Sequence, residues 1–194
     1  MSLQIGAEPL QIVCVPDPVL HTEARELSLE EIRSPEMSRL IEAMKKCMQV
    51  SGGIGLAAPQ IGKSLQVIVY EDMDQSFLTP DQIRERKRYP VPFHVLINPR
   101  IIEQSGATTI FYEGCLSVPN YRAKVPRIER VRVQYLNERG FSVVIDAEGW
   151  YARGLQHEID HLRGELYTDC MVKGTGVTDE EYETIRLANT QPHQ

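Results

Sequence analysis

The sequence predicts an α+β fold. Segments with the period-two alternation of strands and segments with the 3.6-residue period of helices are mixed along the chain, without an internal repeat or a linker. The chain of 194 residues is long enough for one domain with a sizeable core and too short for two ordinary ones, so we expect residues 1–194 to form one unit. The composition, 42% hydrophobic and 25% charged, is typical of a folded globular protein.

The first predicted helix spans residues 35–50. Ser34 and Pro35 suit an N-cap and a first helical position, and Gly52 and Gly53 provide a stop beyond the last turn. Between them, apolar side chains recur at the spacing of one helical face: Met37, Leu40, Ile41, Met44, Cys47 and Met48. We interpret this face as part of the core.

Two strands are predicted next, at residues 65–70 and 94–102, and a polar segment, residues 71–92, separates them. We interpret this segment as a surface insertion in which Thr79 and Pro80 favour the start of a short helix. Its basic residues are expected to form a solvated face, with contact to anionic RNA as the less favoured alternative: Arg84, Arg86, Lys87 and Arg88.

The remaining chain is predicted to contain a hairpin, two helices and a frayed tail. Residues 129–137 and 141–147 alternate with period two around a short turn, which favours a β-hairpin. The period then changes to that of a helix over about 150–163. A capping box at Thr178 predicts a last short helix, and residues 190–194 are expected to be frayed.

The helix predicted over 150–163 carries the motif H-E-x-x-H, formed by His157, Glu158 and His161. Four residues return the chain to the same helical face, so both imidazoles can reach one divalent metal ion, with Glu158 beside them. The alternative is a surface pair of histidines. A catalytic metal site normally needs three protein ligands and a water, so a third ligand has to come from elsewhere.

The sequence offers several candidates for the third metal ligand. A further histidine six residues after His161 is absent, because Tyr167 stands there. Cys115 is the better candidate, since a thiolate beside two imidazoles suits zinc or ferrous iron. A nucleophilic cysteine with a histidine base is the rival use of Cys115. Carboxylates that would instead make the chain an H-E-x-x-H peptidase are Glu165, Glu180, Glu181 and Glu183.

The glycine-rich segment at residues 52–62 lacks the features of a phosphate-binding loop. Its one polar side chain, Gln60, could direct an amide N–H at a developing oxyanion. The other cysteines, Cys14, Cys47 and Cys170, have apolar neighbours in the sequence, and we expect them to be reduced and buried.

Three motifs together resemble the signature motifs of the peptide deformylases: G-x-G-x-A-A-x-Q at residues 53–60, E-G-C-L-S at 113–117 and Q-H-E-x-x-H at 156–161. The resemblance extends from about residue 10 to 172. It implies mixed or antiparallel sheets packed around a central helix that carries H-E-x-x-H. It also implies hydrolysis of the N-formyl group from the initiator methionine of nascent chains, with release of formate.

The resemblance further implies the role of individual residues. One divalent metal ion, usually Fe²⁺, with Zn²⁺, Ni²⁺ or Co²⁺ as substitutes, would be held by Cys115, His157 and His161. Glu158 would be the acid and base, and the Gln60 amide and the Leu116 backbone N–H would stabilise the oxyanion. Substrate-binding residues would be Gly53, Ile54, Gly55, Glu113 and Gly154.

Gly154 departs from the family pattern, in which a larger residue is usual, and we therefore expect a roomier pocket for the methionine side chain. The long 71–92 insertion and the segment at 149–153 look more like the organellar branch. The compartment could thus be the bacterial cytoplasm or, for a mature organellar form, the mitochondrial or plastid matrix. Transient contact with the ribosome would suit a substrate that is a nascent chain.

Other functions and partners are disfavoured by charge and hydropathy. The net charge of −6 gives no overall attraction to nucleic acid, and we expect no specific DNA partner. No apolar stretch approaches the roughly 20 residues that a membrane span needs, so no membrane partner is expected. A binding module with a purely structural metal site remains the non-enzymatic alternative.

Overall fold

The computed structural model describes residues 10–188. Its helices are α1 to α6, namely Leu29–Ile32, Pro35–Val50, Pro80–Arg86, Gly149–Leu162, Tyr167–Cys170 and Asp179–Ala188. Its strands are β1 to β7, namely Gly55–Ala57, Val67–Asp72, Val91–Gln104, Thr108–Cys115, Val118–Ile128, Arg130–Leu136 and Ser142–Glu148. The α+β class predicted from the sequence is confirmed.

Two antiparallel sheets enclose the helix α4. The first has five strands in the order β1-β2-β3-β6-β7, and the second consists of β4 and β5. The strand β2 is buried on both faces, so its alternate side chains enter two different cores. Val67 and Val69 pack with α2, whereas Ile68 and Tyr70 pack with α4. The five-stranded sheet is therefore a layer between the two long helices.

The predicted helices form where their local signals placed them. The helix α2 spans Pro35–Val50, with the Ser34 side chain accepting a hydrogen bond from the Met37 N–H. The predicted apolar face is buried except at Cys47, which is half-buried. The helix α3 begins after Thr79, whose side chain caps it together with Gln82. The predicted hairpin is β6–β7.

Two expectations about the fold need correction. Cys14 and Cys170 are exposed rather than buried, because the apolar residues beside them in sequence do not cover them in space. All four cysteines are unpaired.

The second correction concerns the 71–92 segment. Arg88 was expected on a solvated face, yet it is buried and makes a two-pronged ion pair with Asp72, with N–O distances of 2.7 and 2.8 Å. A buried guanidinium needs such a partner, and β2 supplies it. The neighbouring Arg86 lies over the Trp150 ring, 4.8 Å from its centroid. This segment is thus fastened to the start of α4, while the exposed remainder of α3 agrees with a surface insertion.

The predicted tail at 190–194 lies outside the described residues. Within residues 10–188, none of the helices has the length and apolar character required to cross a bilayer.

Candidate metal centre and active site

The helix α4 presents both histidines of the H-E-x-x-H motif on one face. Leu155, Ile159 and Leu162 are buried and fix the helix against the five-stranded sheet. His157 and His161 lie one turn apart on the opposite side, and their ring centroids are 5.1 Å apart. A helix that is anchored by its apolar stripe therefore holds the two imidazoles in a fixed relation.

Cys115 completes a cluster of three ligand atoms. Its Sγ atom lies 3.2 Å from Nε2 of His161, and one donor atom each from Cys115, His157 and His161 lie within 4.8 Å of one another. Tetrahedral bonds of about 2.0 to 2.3 Å would separate such atoms by about 3.5 Å, so the three donors fit one divalent ion. No carboxylate joins this cluster among residues 10–188, which removes support for the carboxylate-ligand alternative.

A buried ionic network holds His157. Its Nδ1 lies 2.9 Å from the carboxylate of Glu113, which also accepts from Arg127 at 3.0 Å and from Arg153 at 2.7 Å. Arg127 in turn pairs with Asp160. Burial alone would raise the pKa of Glu113, but the hydrogen bonds from His157 and Arg127 keep it well below its usual range. Glu113 is thus a carboxylate, and it accepts the Nδ1 proton of His157.

This network changes the expected role of Glu113. Both carboxylate oxygens are bonded to side chains, so Glu113 acts behind the ligand His157 instead of lining a substrate groove. A carboxylate that fixes the tautomer of a ligating histidine is a common support for metal binding. Because the Nδ1 proton points to Glu113, Nε2 of His157 remains available to a metal ion.

The pKa values of the two histidines are shifted in opposite directions. Burial lowers the pKa of His161 well below its usual value, and the charge of His157 adds to this effect. Burial would also lower the pKa of His157, but hydrogen bonds with Cys115 and Glu113 outweigh it and raise the pKa. A neutral His161 suits a metal ligand.

Glu158 lies beside the cluster. Its side chain is 6% exposed, and burial raises the pKa of its carboxyl group to about 7. The carboxyl group sits directly over Gly55: a Cβ atom built on Gly55 would lie 2.8 Å from Cδ of Glu158. Only glycine therefore leaves room for this carboxyl group, which explains part of the glycine-rich motif.

The Gln60 side chain is fixed at both ends. Its Oε1 accepts the Ala57 N–H at 2.9 Å, and its Nε2 lies 3.5 Å from Sγ of Cys115 and 3.4 Å from Oγ of Ser117. The amide hydrogens of Gln60 thus face the ligand cluster, with Leu116 next to Cys115 in the chain. Gly53 packs close to Leu116, whose Cδ1 would be 3.0 Å from an added Cβ.

The expectation of a roomier pocket at Gly154 is wrong. The fully buried Tyr70 fills the space above this glycine, and a Cβ atom on Gly154 would lie 2.7 Å from Cε2 and 2.9 Å from Cζ of Tyr70. Tyr70 on β2 fills the volume that the side chain of a larger residue at position 154 would occupy. Arg153, the next residue, points into the ionic network and not into a groove.

Sequence analysis missed four residues of this site: Tyr70, Arg127, Arg153 and Asp160. One signal was available, because Arg153 lies within the predicted helix next to its apolar stripe and would need a buried anion as partner. The other three depend on how β2, β5 and α4 pack, which no local pattern reports.

Comparisons with known proteins agree with this geometry. Residues 9–176 match the family described as Polypeptide deformylase. The chain is 44% identical over 174 residues to "Peptide deformylase 1A, chloroplastic" of Solanum lycopersicum, covering 89% of this chain and 63% of that protein. It is 42% identical over 168 residues to "Peptide deformylase 1" of Streptomyces coelicolor, covering 86% and 75% respectively.

A solved structure has a similar fold. The class I type b peptide deformylase from Acinetobacter baumannii, crystallised with Met-Ala-Ser, aligns with a TM-score of 0.76 at 33% identity, covering 86% of this chain and all of that one. The chain spans less than two thirds of the length of the tomato protein. Both plastid and bacterial proteins are thus among its relatives.

Proposed function

Because the chain belongs to the polypeptide deformylase family, we propose that it hydrolyses the N-formyl group from the N-terminal methionine of newly synthesised polypeptides and releases formate. The observation that carries this proposal is the convergence of three motifs. The ligand atoms of Cys115, His157 and His161 lie together, the Gln60 amide faces Cys115, and the carboxyl group of Glu158 lies over Gly55 of the glycine-rich motif.

The metal ion in the proposal is held by Cys115, His157 and His161, one sulfur and two nitrogen donors. A divalent cation, when bound there, polarises the formyl carbonyl and lowers the pKa of water toward about 7. We assign Fe²⁺ as the native ion and Zn²⁺, Ni²⁺ or Co²⁺ as substitutes, since the same donor set accepts each of them.

Glu158 moves the proton in this reaction. Its carboxylate takes a proton from the attacking water, and the same group then delivers that proton to the departing amine as the C–N bond of the formamide breaks. A pKa of about 7 suits both steps, because the group is then a base of useful strength and an acid of useful strength. The products are formate and a free amino terminus.

The developing oxyanion is stabilised by two donors. The amide of Gln60 already faces the ligand cluster and is held by Ala57, so it needs no reorientation. The Leu116 backbone N–H is the second donor, at the turn that follows Cys115. Loss of one such donor typically costs about 3 kcal/mol of transition-state stabilisation.

The substrate lies along β1 in this proposal. Gly55 offers its backbone to the peptide, and Gly53 and Ile54 border the groove for the methionine side chain. Support comes from the position of these residues between Glu158 and Leu116. The Acinetobacter relative was crystallised with Met-Ala-Ser, a peptide that begins with methionine.

The partners and the location follow from the substrate. We propose nascent formylmethionyl peptides as the partner, met during transient contact with the ribosome. The compartment is the bacterial cytoplasm or an organellar matrix, since plastid and bacterial relatives are both similar to this chain.

One assay tests the function. The protein is incubated anaerobically with formyl-Met-Ala, formate is measured, and the metal content of the same sample is determined, because ferrous iron beside a thiolate is prone to oxidation. Glu158→Gln should lower kcat by about 10²- to 10⁴-fold and leave the metal content unchanged. Glu165→Gln changes an exposed carboxylate nearby in sequence and should have no effect. Metal-loaded protein that releases no formate would contradict the proposal.

A further inference from the structure

Tyr70 places an unpaired hydroxyl group next to the active site. Its side chain is completely buried, and Oη has no hydrogen-bond partner. A buried hydroxyl without a partner costs on the order of 1–3 kcal/mol, so such groups are uncommon in folded proteins. A phenylalanine would fill nearly the same volume without this cost. The hydroxyl of Tyr70 therefore calls for a functional explanation.

Glu158 carries the matching unpaired atom. Its Oε2 is buried and also lacks a hydrogen-bond partner. Tyr70 and Glu158 are close enough for the charge of Glu158 to contribute, after burial and the charge of Asp72, to a raised pKa of Tyr70. The Tyr70 hydroxyl therefore stays protonated and can donate a hydrogen bond to an acceptor such as a carboxylate.

The packing of α4 on the sheet brings the Tyr70 hydroxyl and the Glu158 carboxyl group into one layer. Gly55 and Tyr70 are opposite each other in the β1–β2 ladder, so their side-chain positions share one face. Gly154 and Glu158 are one turn apart on α4 and share the face that packs on it. Tyr70 occupies the space above Gly154, and Glu158 occupies the space above Gly55. Two glycines thus create adjacent places for a hydroxyl and a carboxyl group.

We propose that Tyr70 is a positioning residue, whose hydroxyl donates a hydrogen bond through one internal water molecule to Oε2 of Glu158. A bridging water satisfies both buried atoms, which have no direct partner. It holds the carboxyl group in one orientation over Gly55 while Oε1 exchanges a proton with the reactants. This role rests on the proposed function, because Glu158 is the acid and base of that reaction.

The first test removes the hydroxyl and keeps the ring. Tyr70→Phe should lower kcat for formyl-Met-Ala about tenfold, the size expected for a hydrogen bond to a charged group, and should change KM less than twofold. Tyr151→Phe is the matched control, since its ring contacts Tyr70 but its hydroxyl is bonded to His94 at 2.7 Å. That variant should keep wild-type kcat. An unchanged kcat in Tyr70→Phe would overturn the proposal.

A second variant separates packing from hydrogen bonding. The double substitution Tyr70→Leu/Gly154→Ala keeps the buried volume nearly constant without a hydroxyl group, because the methyl group added at residue 154 offsets the smaller side chain at residue 70. It should fold and show the same loss of kcat as Tyr70→Phe. Wild-type kcat in this double variant would mean that Tyr70 serves only to fill space.

A third measurement does not depend on activity. Tyr70→Phe and Glu158→Gln are made singly and together, and Tm is measured for all four proteins. If the two side chains share a water, their shifts in Tm should be non-additive by at least about 2 °C. Additive shifts would overturn the bridge. A wild-type protein that releases no formate but shows coupled shifts would reject the deformylase function and retain the hydrogen bond.

Discussion

The two sides of α4 differ in how their polar groups are satisfied. Toward β4 and β5, Arg153, Gln156, His157 and Asp160 all have partners, and the Glu113 carboxylate is bonded through both oxygens. Toward the five-stranded sheet, Oε2 of Glu158 and Oη of Tyr70 are buried without partners.

This difference corresponds to the different requirements of metal binding and of proton transfer. A metal ligand must keep one tautomer and one orientation, and the saturated ionic network provides both for His157, whereas Nδ1 of His161 is buried without a partner among residues 10–188. A group that transfers protons must accept and release hydrogen bonds during each turnover, so it cannot be bonded permanently on every side. In the proposed reaction, one helix thus supplies rigidity on the side of His157 and proton exchange on the side of Glu158. Substitutions on the two sides should therefore affect different measurements.

The largest effect, a loss of stability and of metal affinity, is expected from Glu113→Gln in the ionic network on the side of α4 that faces β4 and β5. The substitution leaves the guanidinium groups of Arg127 and Arg153 buried with less compensating charge, so the free energy of unfolding should fall by about 3–5 kcal/mol in urea titrations. Metal affinity should fall about 10- to 100-fold, since the acceptor of His157 changes from a carboxylate to a neutral amide.

Its control is Glu103→Gln, which removes a carboxylate that pairs with Arg132 at the surface and is 65% exposed. That change should cost at most about 1 kcal/mol. Equal costs for the two variants would show that the buried network is not what stabilises the ligand side.

The next largest effect, a loss of kcat, is expected from Gly55→Ala on the side of α4 that carries Glu158. The new methyl group would lie within 2.9 Å of Cγ and Cδ of Glu158, so the carboxyl group must move away from its place. A displacement of about 1 Å can cost about 100-fold in rate, and we expect a loss of kcat of that size in formate release. Metal content should not change, because the three atoms nearest to the added methyl group all belong to Glu158 and none to a ligand.

Gly106→Ala is the control for this change. It is the same substitution at a glycine with nothing within 4 Å of the added atom, and it should leave kcat at the wild-type value. A Gly55→Ala protein with full activity would mean that Glu158 tolerates displacement, against the division proposed for α4.

The elements of this fold were predictable where the signal is local. The helix α2 matched its predicted bounds because its cap, its apolar period and its stop lie within a few residues of one another. The candidate ligands were predictable for a related reason: His157 and His161 are tied by helical spacing, and Cys115 lies in its own motif.

Contacts across elements were not predictable in the same way. Arg88 was assigned to a solvated face because its neighbours in sequence are charged, yet Asp72 lies opposite it in space. Cys170 was assigned to the core because its sequence neighbours are apolar, yet it is exposed. Tyr70 and Gly154 compensate each other across two elements, and neither position alone indicates what fills the other.

The packing of Tyr70 on Gly154 gives the smallest but most specific prediction, which concerns the free energy of unfolding of Gly154→Ala. Gly154→Ala gains about 1 kcal/mol of helix propensity, but the added methyl group meets the fully buried ring of Tyr70. Overpacking of this kind costs about 1–3 kcal/mol, and the short distances to Cε2 and Cζ put this case at the upper end. Because overpacking is the larger effect, the free energy of unfolding should fall by about 2 kcal/mol.

In a Tyr70→Leu background the same substitution should change sign. Leucine withdraws the ring from Gly154, so the cost of overpacking disappears and only the gain in helix propensity of up to about 1 kcal/mol remains. Urea unfolding of the four proteins, with and without each substitution, measures both values. If Gly154→Ala destabilised the protein equally in both backgrounds, the ring of Tyr70 would not be what excludes a side chain at residue 154, and the interlocked packing of β2 and α4 would have to be abandoned.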